Sequence, residues 1–347
     1  MRNKRFWAGV LAALTAVSLL AVVLAGSSSA RPRAAFTAAL ISDIGKFNDK
    51  GFNQLQLQGL NRAVKVLHVK KIALQSNSSS EYVPNMTTAI RQGANIVIAA
   101  GYLMAGDLGN EAQQFPKIHF AITDDFVSSS TGDFKGKDVH NLEGLTYATN
   151  ENSYLIGCMA ALVTKHDKAK QVIGAVMGIK IPPVDIFFAG YQAGAKKCVP
   201  GTKILSGYSN NFVAQDLCKN LAQDQIKADA HVIFAIAGGC GLGALSAAKD
   251  AGLWGIGVDK DQSFLGSYIL TSAVKRVDNG VFNAIRAAKS GKFKGGSNLL
   301  FNLKNKGVAL GKISPRLKGA EKKAIMAKVN TLKKLIIKGK IKVPTTL

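Results

Sequence analysis

The chain has 347 residues and carries 45 Lys and Arg against 21 Asp and Glu, a formal net charge of +24. Its length gives room for two domains with sizeable cores. The charge suggests nucleic-acid binding, but lysines are concentrated from Lys304 onward and no segment interleaves arginines with aromatic residues. We therefore expect no nucleic-acid partner and interpret the charge as a solvated surface that could be attracted to anionic lipid or cell wall.

The first thirty residues have the features of a secretory signal. A basic start at residues 1–5 precedes an apolar run at 6–24 and small residues that end at Ala30. We predict an exported protein with 1–30 as signal peptide; a retained anchor is the alternative, because the apolar run approaches spanning length.

Residues 24–27, Leu-Ala-Gly-Ser, resemble a bacterial lipobox in which Ser27 replaces the lipid-carrying cysteine. Without a thiol, lipid attachment is not expected there. The predicted location is the periplasm or the outer face of the cytoplasmic membrane, either soluble or tethered by an uncleaved signal.

From residue 34 onward, short apolar runs alternate with amphipathic stretches. The predicted strands are 36–41, 71–75, 96–100, 119–122, 141–146, 172–176, 203–208, 232–235, 254–258 and 269–272. The predicted helices are roughly 51–66, 82–92, 104–114, 151–164, 183–197, 214–225, 243–251 and 277–290. This alternation predicts an α/β protein with parallel sheets that carry helices on both faces.

The alternation divides into two lobes near residue 146. We assign 34–145 and about 262–296 to the first lobe, and 146–261 and about 297–313 to the second. A cleft between two doubly wound lobes is the expected ligand site, because strand ends of both lobes face it. Residues 314–347 form a basic tail with apolar residues at helical spacing, which we expect to pack as a helix on the body; attachment to a membrane surface is the alternative.

The four cysteines all lie in the second half of the chain and lack the Cys-x-x-Cys spacing of metal sites. In an oxidising compartment an even number suggests disulfides, and three pairings are possible. We favour Cys218 with Cys240, since both are expected at one sheet edge, which leaves Cys158 with Cys198. Buried free thiols are the alternative.

The segment 39–59 breaks from an apolar strand into a polar loop that opens a helix. It places Asp43, Asn48, Asp49, Phe52 and Asn53 at the carboxyl end of a strand, where open α/β sheets bind ligands. A phenyl ring among acids and amides suits a flat, hydroxylated ligand. Phosphate is disfavoured, because neither a dense glycine loop nor a Walker lysine is present.

Three further charged residues follow predicted strands. Asp124 is expected to accept a hydrogen bond from a ligand, and only one carboxylate of the Asp124-Asp125 pair can face the cleft. Asp259 and Lys275 could together hold vicinal hydroxyls. The glycine-rich run 237–243 is read as a loop that lets the backbone approach a ligand, with helix packing as the alternative.

The sequence gives little support for catalysis. The five histidines are scattered, and neither a G-x-S-x-G elbow nor an H-E-x-x-H motif occurs. We therefore predict no enzyme activity, metal site or cofactor. A nucleoside-processing enzyme that uses the same aspartates, and a ligand-sensing receptor module, are the alternatives.

Five segments are informative when they are considered together: 43–53, 120–124, 237–243, 257–262 and 270–275. In this order they resemble the basic membrane protein family of nucleoside-binding ABC transporter components, and the resemblance covers about residues 35–312. It implies a type I periplasmic-binding-protein fold, in which two Rossmann-like lobes joined by a hinge close on a purine nucleoside. The implied partners are that ligand and an ABC permease, and we expect a monomer.

The resemblance also implies roles for individual residues. The base would lie between Phe52 and Phe212, and Asp124 would contact a base edge. Asp259 with Lys275 would hold the ribose. The backbone of Gly238 would line the pocket. Phe187, which lies in a helix motif of the family, would pack in the core. The entry side of the pocket would be supported by Asp43, Asn48 and Asn53.

The chain departs from the family pattern at three places. Lys46 replaces a common glycine, Asn210-Asn211 precede Phe212 where the family usually has Gly-Ser, and Ser27 replaces the lipobox cysteine. These departures affect the prediction of which ligand is bound and of how the protein is anchored more than the prediction of the fold.

Overall fold

Two six-stranded sheets organise residues 35–347, the part of the chain that the computed structural model describes. The first sheet consists of β1 (Thr37–Ser42), β2 (Lys70–Leu74), β3 (Ile96–Ala100), β4 (His119–Thr123), β5 (Leu142–Tyr147) and β11 (Asn298–Phe301). The second consists of β6 (Val172–Met177), β7 (Lys203–Tyr208), β8 (Val232–Ile236), β9 (Trp254–Asp259), β10 (Ile269–Lys275) and β12 (Val308–Leu310). The predicted signal and lipobox-like segments lie outside the described residues.

The two sheets have the same strand order. It is β11-β5-β4-β3-β1-β2 in the first and β12-β10-β9-β8-β6-β7 in the second, and all neighbours are parallel except β10 and β12. Central strands such as β1, β3 and β8 are buried along their whole length, as expected when helices cover both faces. The edge strand β2 instead exposes Lys70 and Lys71, which discourages pairing with another chain.

Helices cover both sheets. Those of the first lobe are α1 (Phe52–Leu67), α2 (Tyr82–Arg91), α3 (Ala105–Gln114) and α8 (Val277–Lys289), in the pairs α1 with α8 and α2 with α3. Those of the second are α4 (Thr149–His166), α5 (Pro182–Cys198), α6 (Gln215–Lys227) and α7 (Gly241–Asp250), in the pairs α4 with α5 and α6 with α7. The prediction of two doubly wound lobes is confirmed.

The lobe boundaries differ from the prediction at two strands. β10 was expected in the first lobe but pairs with β9 and β12 of the second. β11 was expected in the second lobe but pairs with β5 of the first. The reason is that the alternation of strands and helices does not specify which sheet a strand joins. The chain therefore crosses between the lobes after β5, after β10 and between β11 and β12.

The tail forms α9 (Gly319–Ile337), which packs on α4. Ile325, Val329, Leu332 and Ile336 are buried, so the apolar face of this helix is covered by the body, as expected from the spacing. Asn150 donates to the carbonyl of Val343, which holds the segment beyond the helix on the body as well. Within residues 35–347, no helix combines the length and apolar character needed to span a membrane.

Two disulfides reinforce the second lobe. Cys158–Cys198 joins α4 to the end of α5, and Cys218–Cys240 joins α6 to the turn before α7. The structure thus contains the favoured pairing. Both bonds connect segments within the second lobe, and the described part of the chain has no free cysteine.

Candidate functional site

One pocket lies at the carboxyl ends of strands from both sheets. Its empty space, open mouth included, is about 600 Å³. It brings together eight of the nine predicted ligand-binding residues: Asp43, Phe52, Asn53, Asp124, Phe212, Gly238, Asp259 and Lys275. The ninth, Asn48, is exposed and lies outside the lining, where its neighbour Asp49 takes a place instead.

Asp49 organises the start of α1. Its Oδ1 accepts from the backbone amides of Gly51 and Gln54 at 2.9 and 3.0 Å, and its Oδ2 accepts from the amide of Asn53 at 2.8 Å. The amides of Asn53 and Gln54 belong to the first turn of the helix and that of Gly51 directly precedes it, so none of them has an intrahelical acceptor. Burial raises the pKa of Asp49 even though these hydrogen bonds favour its ionised form. Asp49 thus fixes the helix end that carries Phe52 and Asn53.

Asn53 connects two carboxylates. Its Nδ2 donates to Asp43 Oδ1 at 2.7 Å and to Asp49 Oδ2 at 3.1 Å, and its Oδ1 accepts from the amide of Asp43 at 3.2 Å. Both N–H donors and the oxygen of the Asn53 side-chain amide therefore already have hydrogen-bond partners within the protein. Asn53 therefore positions the acids rather than offering a free group to a ligand.

Asp43, just after β1, keeps one oxygen without a protein donor. Oδ1 accepts from Asn53 and from the amide of Gly45 at 2.7 Å, whereas Oδ2 receives no hydrogen bond from the described residues. Burial raises the pKa of Asp43 to about 7, against the opposing effect of the hydrogen bonds from Gly45 and Asn53. Its free oxygen can accept a hydrogen bond from a ligand.

Asp124 and Asp259 stand at corresponding strand ends of the two lobes. Asp124 follows β4, Asp259 ends β9, and both have positive φ, 73° and 63°. Aspartate tolerates this left-handed conformation better than most residues. The matching backbone shows that the two lobes end these strands in the same way.

The carboxylate of Asp259 receives no hydrogen bond from the described residues, although the residue is only 6% exposed. Burial raises its pKa to about 7, and the nearby charge of Lys275 partly opposes this. A buried carboxylate without donors is costly unless a ligand supplies them. Asp259 is thus the acceptor in the pocket with the most unused capacity.

Lys275, the last residue of β10, is the only cation in the pocket lining and is 2% exposed. Its Nζ donates to Asp124 Oδ2 at 2.5 Å and lies 5.0 Å from the ring centroid of Phe52 and 5.4 Å from that of Phe187. These distances allow cation–π attraction. Two of its three N–H groups have no acceptor among the described residues and can bind a ligand.

Each predicted stacking ring lies against a glycine. A Cβ on Gly101, after β3, would be 3.3 Å from Phe52 Cε1, and Gly101 has a φ of +132°. A Cβ on Gly178, after β6, would be 2.3 Å from Phe212 Cε1. The missing side chains therefore leave the space that these rings occupy.

Sequence reasoning missed several lining residues. Tyr102 was not singled out, and Phe187 was expected only to pack; Phe187 is 3% exposed and also lines the pocket. Gly101 follows a buried strand like the predicted acids, and that signal could have identified it.

Lys46 has a φ of 61°, a conformation that favours glycine and that explains why the family usually has glycine at this position.

The chemistry of the lining indicates which groups it can bind. It contains four carboxylates, one ammonium, aromatic rings and apolar side chains, and none of its residues is a histidine, cysteine or serine. Such a site accepts hydrogen bonds from hydroxyl and N–H groups, and it stacks on flat rings. Its excess of carboxylates opposes anionic ligands.

The chain is similar to known proteins in both sequence and fold. The chain is 33% identical over 89% of its length to the "CD4+ T-cell-stimulating antigen" of Listeria monocytogenes, 88% of which is covered. It is also 33% identical to the "ABC transporter nucleoside-binding protein BmpA" of Lactococcus lactis, over 96% of this chain and 98% of that protein. A solute-binding protein of an ABC transporter system from Aeropyrum pernix has the same fold, with a TM-score of 0.77 and 24% identity over 89% of this chain and 94% of that one.

The family assignment covers nearly all of the described residues. Residues 36–346 match the Bmp family, described as "ABC transporter substrate-binding protein PnrA-like". The match includes both lobes, the pocket between them and the tail helix. The chain therefore belongs to the family of PnrA-like ABC transporter substrate-binding proteins.

Proposed function

We propose that the protein binds a purine nucleoside, or a close chemical relative, by closure of its two lobes and delivers it to an ABC permease. Substrate-binding proteins of ABC importers are extracytoplasmic, bind a small molecule and present it to a membrane permease. The family is one of binding proteins rather than enzymes. The residues that line the pocket support a nucleoside as the class of ligand.

The aromatic residues support a flat base. Phe52 of the first lobe and Phe212 of the second both line the pocket, and each is backed by a glycine. Stacking on an aromatic side chain contributes about 1–3 kcal/mol per base in single-strand binders. A base between two such rings would connect the lobes and would favour the closed arrangement.

The unpaired acid supports a hydroxylated sugar, and it is the observation that carries the proposal. Asp259 is buried without a donor, and Lys275 offers two free N–H groups. Vicinal hydroxyls of a ribose can donate to the carboxylate and accept from the ammonium. Charge-assisted hydrogen bonds contribute about 1.5–3 kcal/mol each, so micromolar or tighter binding is attainable after entropy losses.

The balance of charge favours a nucleoside over a nucleotide. Four carboxylates line the pocket and the ammonium of Lys275 is already paired with Asp124. A phosphate group would face like charges without a free cation. The printed name of the Lactococcus lactis relative, a nucleoside-binding protein, supports the same class of ligand.

Titration calorimetry tests this proposal. Inosine, guanosine and adenosine are compared with uridine, free ribose and a purine nucleoside monophosphate. We expect a purine nucleoside to bind most tightly and the monophosphate to bind at least about tenfold more weakly. Mass spectrometry of any copurifying small molecule gives an independent identification.

Variants assign the binding to this pocket. Phe52→Ala and Asp259→Ala should each weaken nucleoside binding by about tenfold or more, about 1.4 kcal/mol. Phe264→Ala is the matched control, because Phe264 is 55% exposed and outside the lining. Unchanged affinity in both pocket variants, or tight binding of free ribose but of no nucleoside, would contradict the proposal.

A further inference from the structure

A second cluster of ionisable side chains lies outside the pocket, where the tail helix meets the body. It consists of His166 at the end of α4, Asp167 directly after it, and Glu321 in the first turn of α9. His166 Nδ1 is 3.0 Å from Glu321 Oε1 and 3.6 Å from Asp167 Oδ1. The three atoms all lie within 4.8 Å of one another, so a single ion could contact all three.

Ion pairs alone leave this cluster unsatisfied. Two carboxylates face one imidazole nitrogen, which can donate only one hydrogen bond. Glu321 Oε1 is shielded from water, and no described donor reaches it with hydrogen-bond geometry. The carboxylates of Asp167 and Glu321 repel each other when both are ionised, because their oxygens lie within 4.8 Å of one another. A multivalent cation would bind all three atoms and remove the repulsion.

The surroundings of Asp167 favour such an ion. Its second oxygen, Oδ2, accepts from His231 Nε2 at 2.7 Å and from Trp254 Nε1 at 2.9 Å. These two contacts orient the carboxylate and leave Oδ1 free to face His166 and Glu321. Metal-binding carboxylates are commonly held in this way by hydrogen bonds to their other atoms.

The donor set indicates which ion would bind. One imidazole nitrogen and two carboxylate oxygens suit Zn²⁺, with bonds of about 2.0–2.2 Å that separate neighbouring ligands by roughly 3–3.5 Å. Mg²⁺ and Ca²⁺ prefer oxygen ligands throughout. His166 is 54% exposed, which leaves room for water as a further ligand.

We propose that His166 Nδ1, Asp167 Oδ1 and Glu321 Oε1 bind a Zn²⁺ ion that fastens the tail helix α9 to the end of α4. None of the three residues lines the ligand pocket, so the site is separate from nucleoside binding. Its role is to hold the C-terminal helix on the second lobe. No spacing motif marks it, because Glu321 is distant in sequence from the adjacent pair His166 and Asp167.

The test uses the purified, untagged chain after chelator treatment and dialysis. Zn²⁺ alone is titrated by calorimetry, and Co²⁺ replaces it as a spectroscopic reporter whose visible absorption reports nitrogen and oxygen coordination. We expect one ion per chain and a rise in melting temperature of about 5 °C at a hundredfold excess of free Zn²⁺ over its Kd. Mg²⁺ at the same concentration should give no comparable shift.

Variants identify the ligands. His166→Ala and Glu321→Gln should abolish the Zn²⁺-induced shift and the Co²⁺ spectrum, while nucleoside affinity stays unchanged and shows that the fold is intact. His231→Ala should weaken Zn²⁺ binding about 10–100-fold without abolishing it, as expected for a residue that only orients a ligand. His140→Ala is the matched control, because exposed His140 pairs with Asp138 at 2.8 Å and belongs to no three-residue cluster in the described chain.

Two results would overturn the proposal. One is the failure of the unmodified chain to bind Zn²⁺ at about 0.1 mM, a concentration well above the Kd of a specific site. The other is an unchanged Zn²⁺ response in both His166→Ala and Glu321→Gln, which would assign the ion to another place.

Discussion

The two lobes present corresponding strand ends to the pocket but use them differently. Asp124 and Asp259 follow or end the corresponding strands β4 and β9, while Tyr147 ends β5 where Lys275 ends β10. In the first lobe, Asp49 and Asn53 are occupied by hydrogen bonds within the protein. In the second lobe, Asp259 has none, and Lys275 uses one of its three donors.

This difference separates positioning from binding. The hydrogen bonds of the first lobe fix the start of α1 and hold Asp43 in place. The groups of the second lobe remain incompletely satisfied, at a cost in stability that a ligand can offset. Loss of the Asp49 carboxylate should therefore destabilise the fold, whereas loss of the Asp259 carboxylate should lower the affinity for a ligand without destabilising the fold.

Lys275→Met should have the largest effect, because it removes the only cation of the lining and leaves its carboxylates facing each other. We expect the free energy of unfolding to fall by about 3 kcal/mol near pH 8, and nucleoside binding to be lost. Urea denaturation measures the first effect and calorimetry the second. Because burial raises the pKa of Asp124 and raises those of Asp43 and Asp259 to about 7, lowering the pH neutralises these acids and should restore stability. An equal loss at about pH 5 would show that packing, not charge, is responsible.

Asp259→Asn and Asp49→Asn should change stability in opposite directions. The folded pKa of Asp259, about 7, exceeds the ordinary value of 3.8, so the folded state binds more protons between these values and its stability falls as the pH rises through them. Asp259→Asn removes this penalty and should raise the free energy of unfolding by about 1–2 kcal/mol near pH 8, while affinity falls at least about tenfold.

Asp49→Asn should instead lower the free energy of unfolding by about 2 kcal/mol, because one amide oxygen would replace two oxygens that receive four hydrogen bonds. Denaturation of both variants at one pH makes the comparison direct. A change of the same sign in both would break the distinction between a positioning acid and a binding acid.

Gly178→Ala should weaken nucleoside binding by about tenfold with a smaller effect on folding, because its Cβ would lie 2.3 Å from Phe212 Cε1 and displace the ring. Gly106→Ala is the matched control, since a Cβ there meets nothing within 4 Å. Calorimetry on both variants gives the ratio of affinities. Equal affinities would show that the position of Phe212 does not matter for the ligand.

Lys46→Gly should have the smallest effect, a gain of up to about 1 kcal/mol in the free energy of unfolding, because Lys46 has a φ of 61°. Thermal denaturation measures it. Lys117→Gly is the control, as Lys117 is exposed and is not among the residues with positive φ. A gain as large in Lys117→Gly would argue against backbone strain at Lys46.

Sequence patterns predicted the architecture and most of the pocket for one physical reason. Parallel strands place their carboxyl ends at one edge, so Asp43, Asp124 and Asp259 converge although they are distant in the chain. The resemblance to a family added Phe212, which no strand pattern marks. Its stacking role remains a prediction.

The errors arise where the pattern carries no information on three-dimensional neighbours. Asn48 and Asp49 are adjacent and polar, and only the backbone turn before α1 decides that Asp49 is buried and Asn48 exposed. The assignment of β10 and β11 depended on which sheet edge was open, which local alternation does not encode. Gly178 has no distinguishing neighbour in sequence, because its role depends on the ring of Phe212.

The threefold crossing of the chain between the lobes has a consequence for the order of folding. The second lobe has five strands, β6 to β10, within one continuous stretch, and both disulfides lie beside them. The first lobe begins earlier but lacks α8 and β11 until nearly the whole chain has been synthesised. Domains usually complete their folding in order from the N-terminus. In this chain the first lobe is begun first, but its last elements are synthesised only after most of the second lobe. If the chain is exported from its N-terminus, its first lobe would therefore stay incomplete during most of the transfer across the membrane.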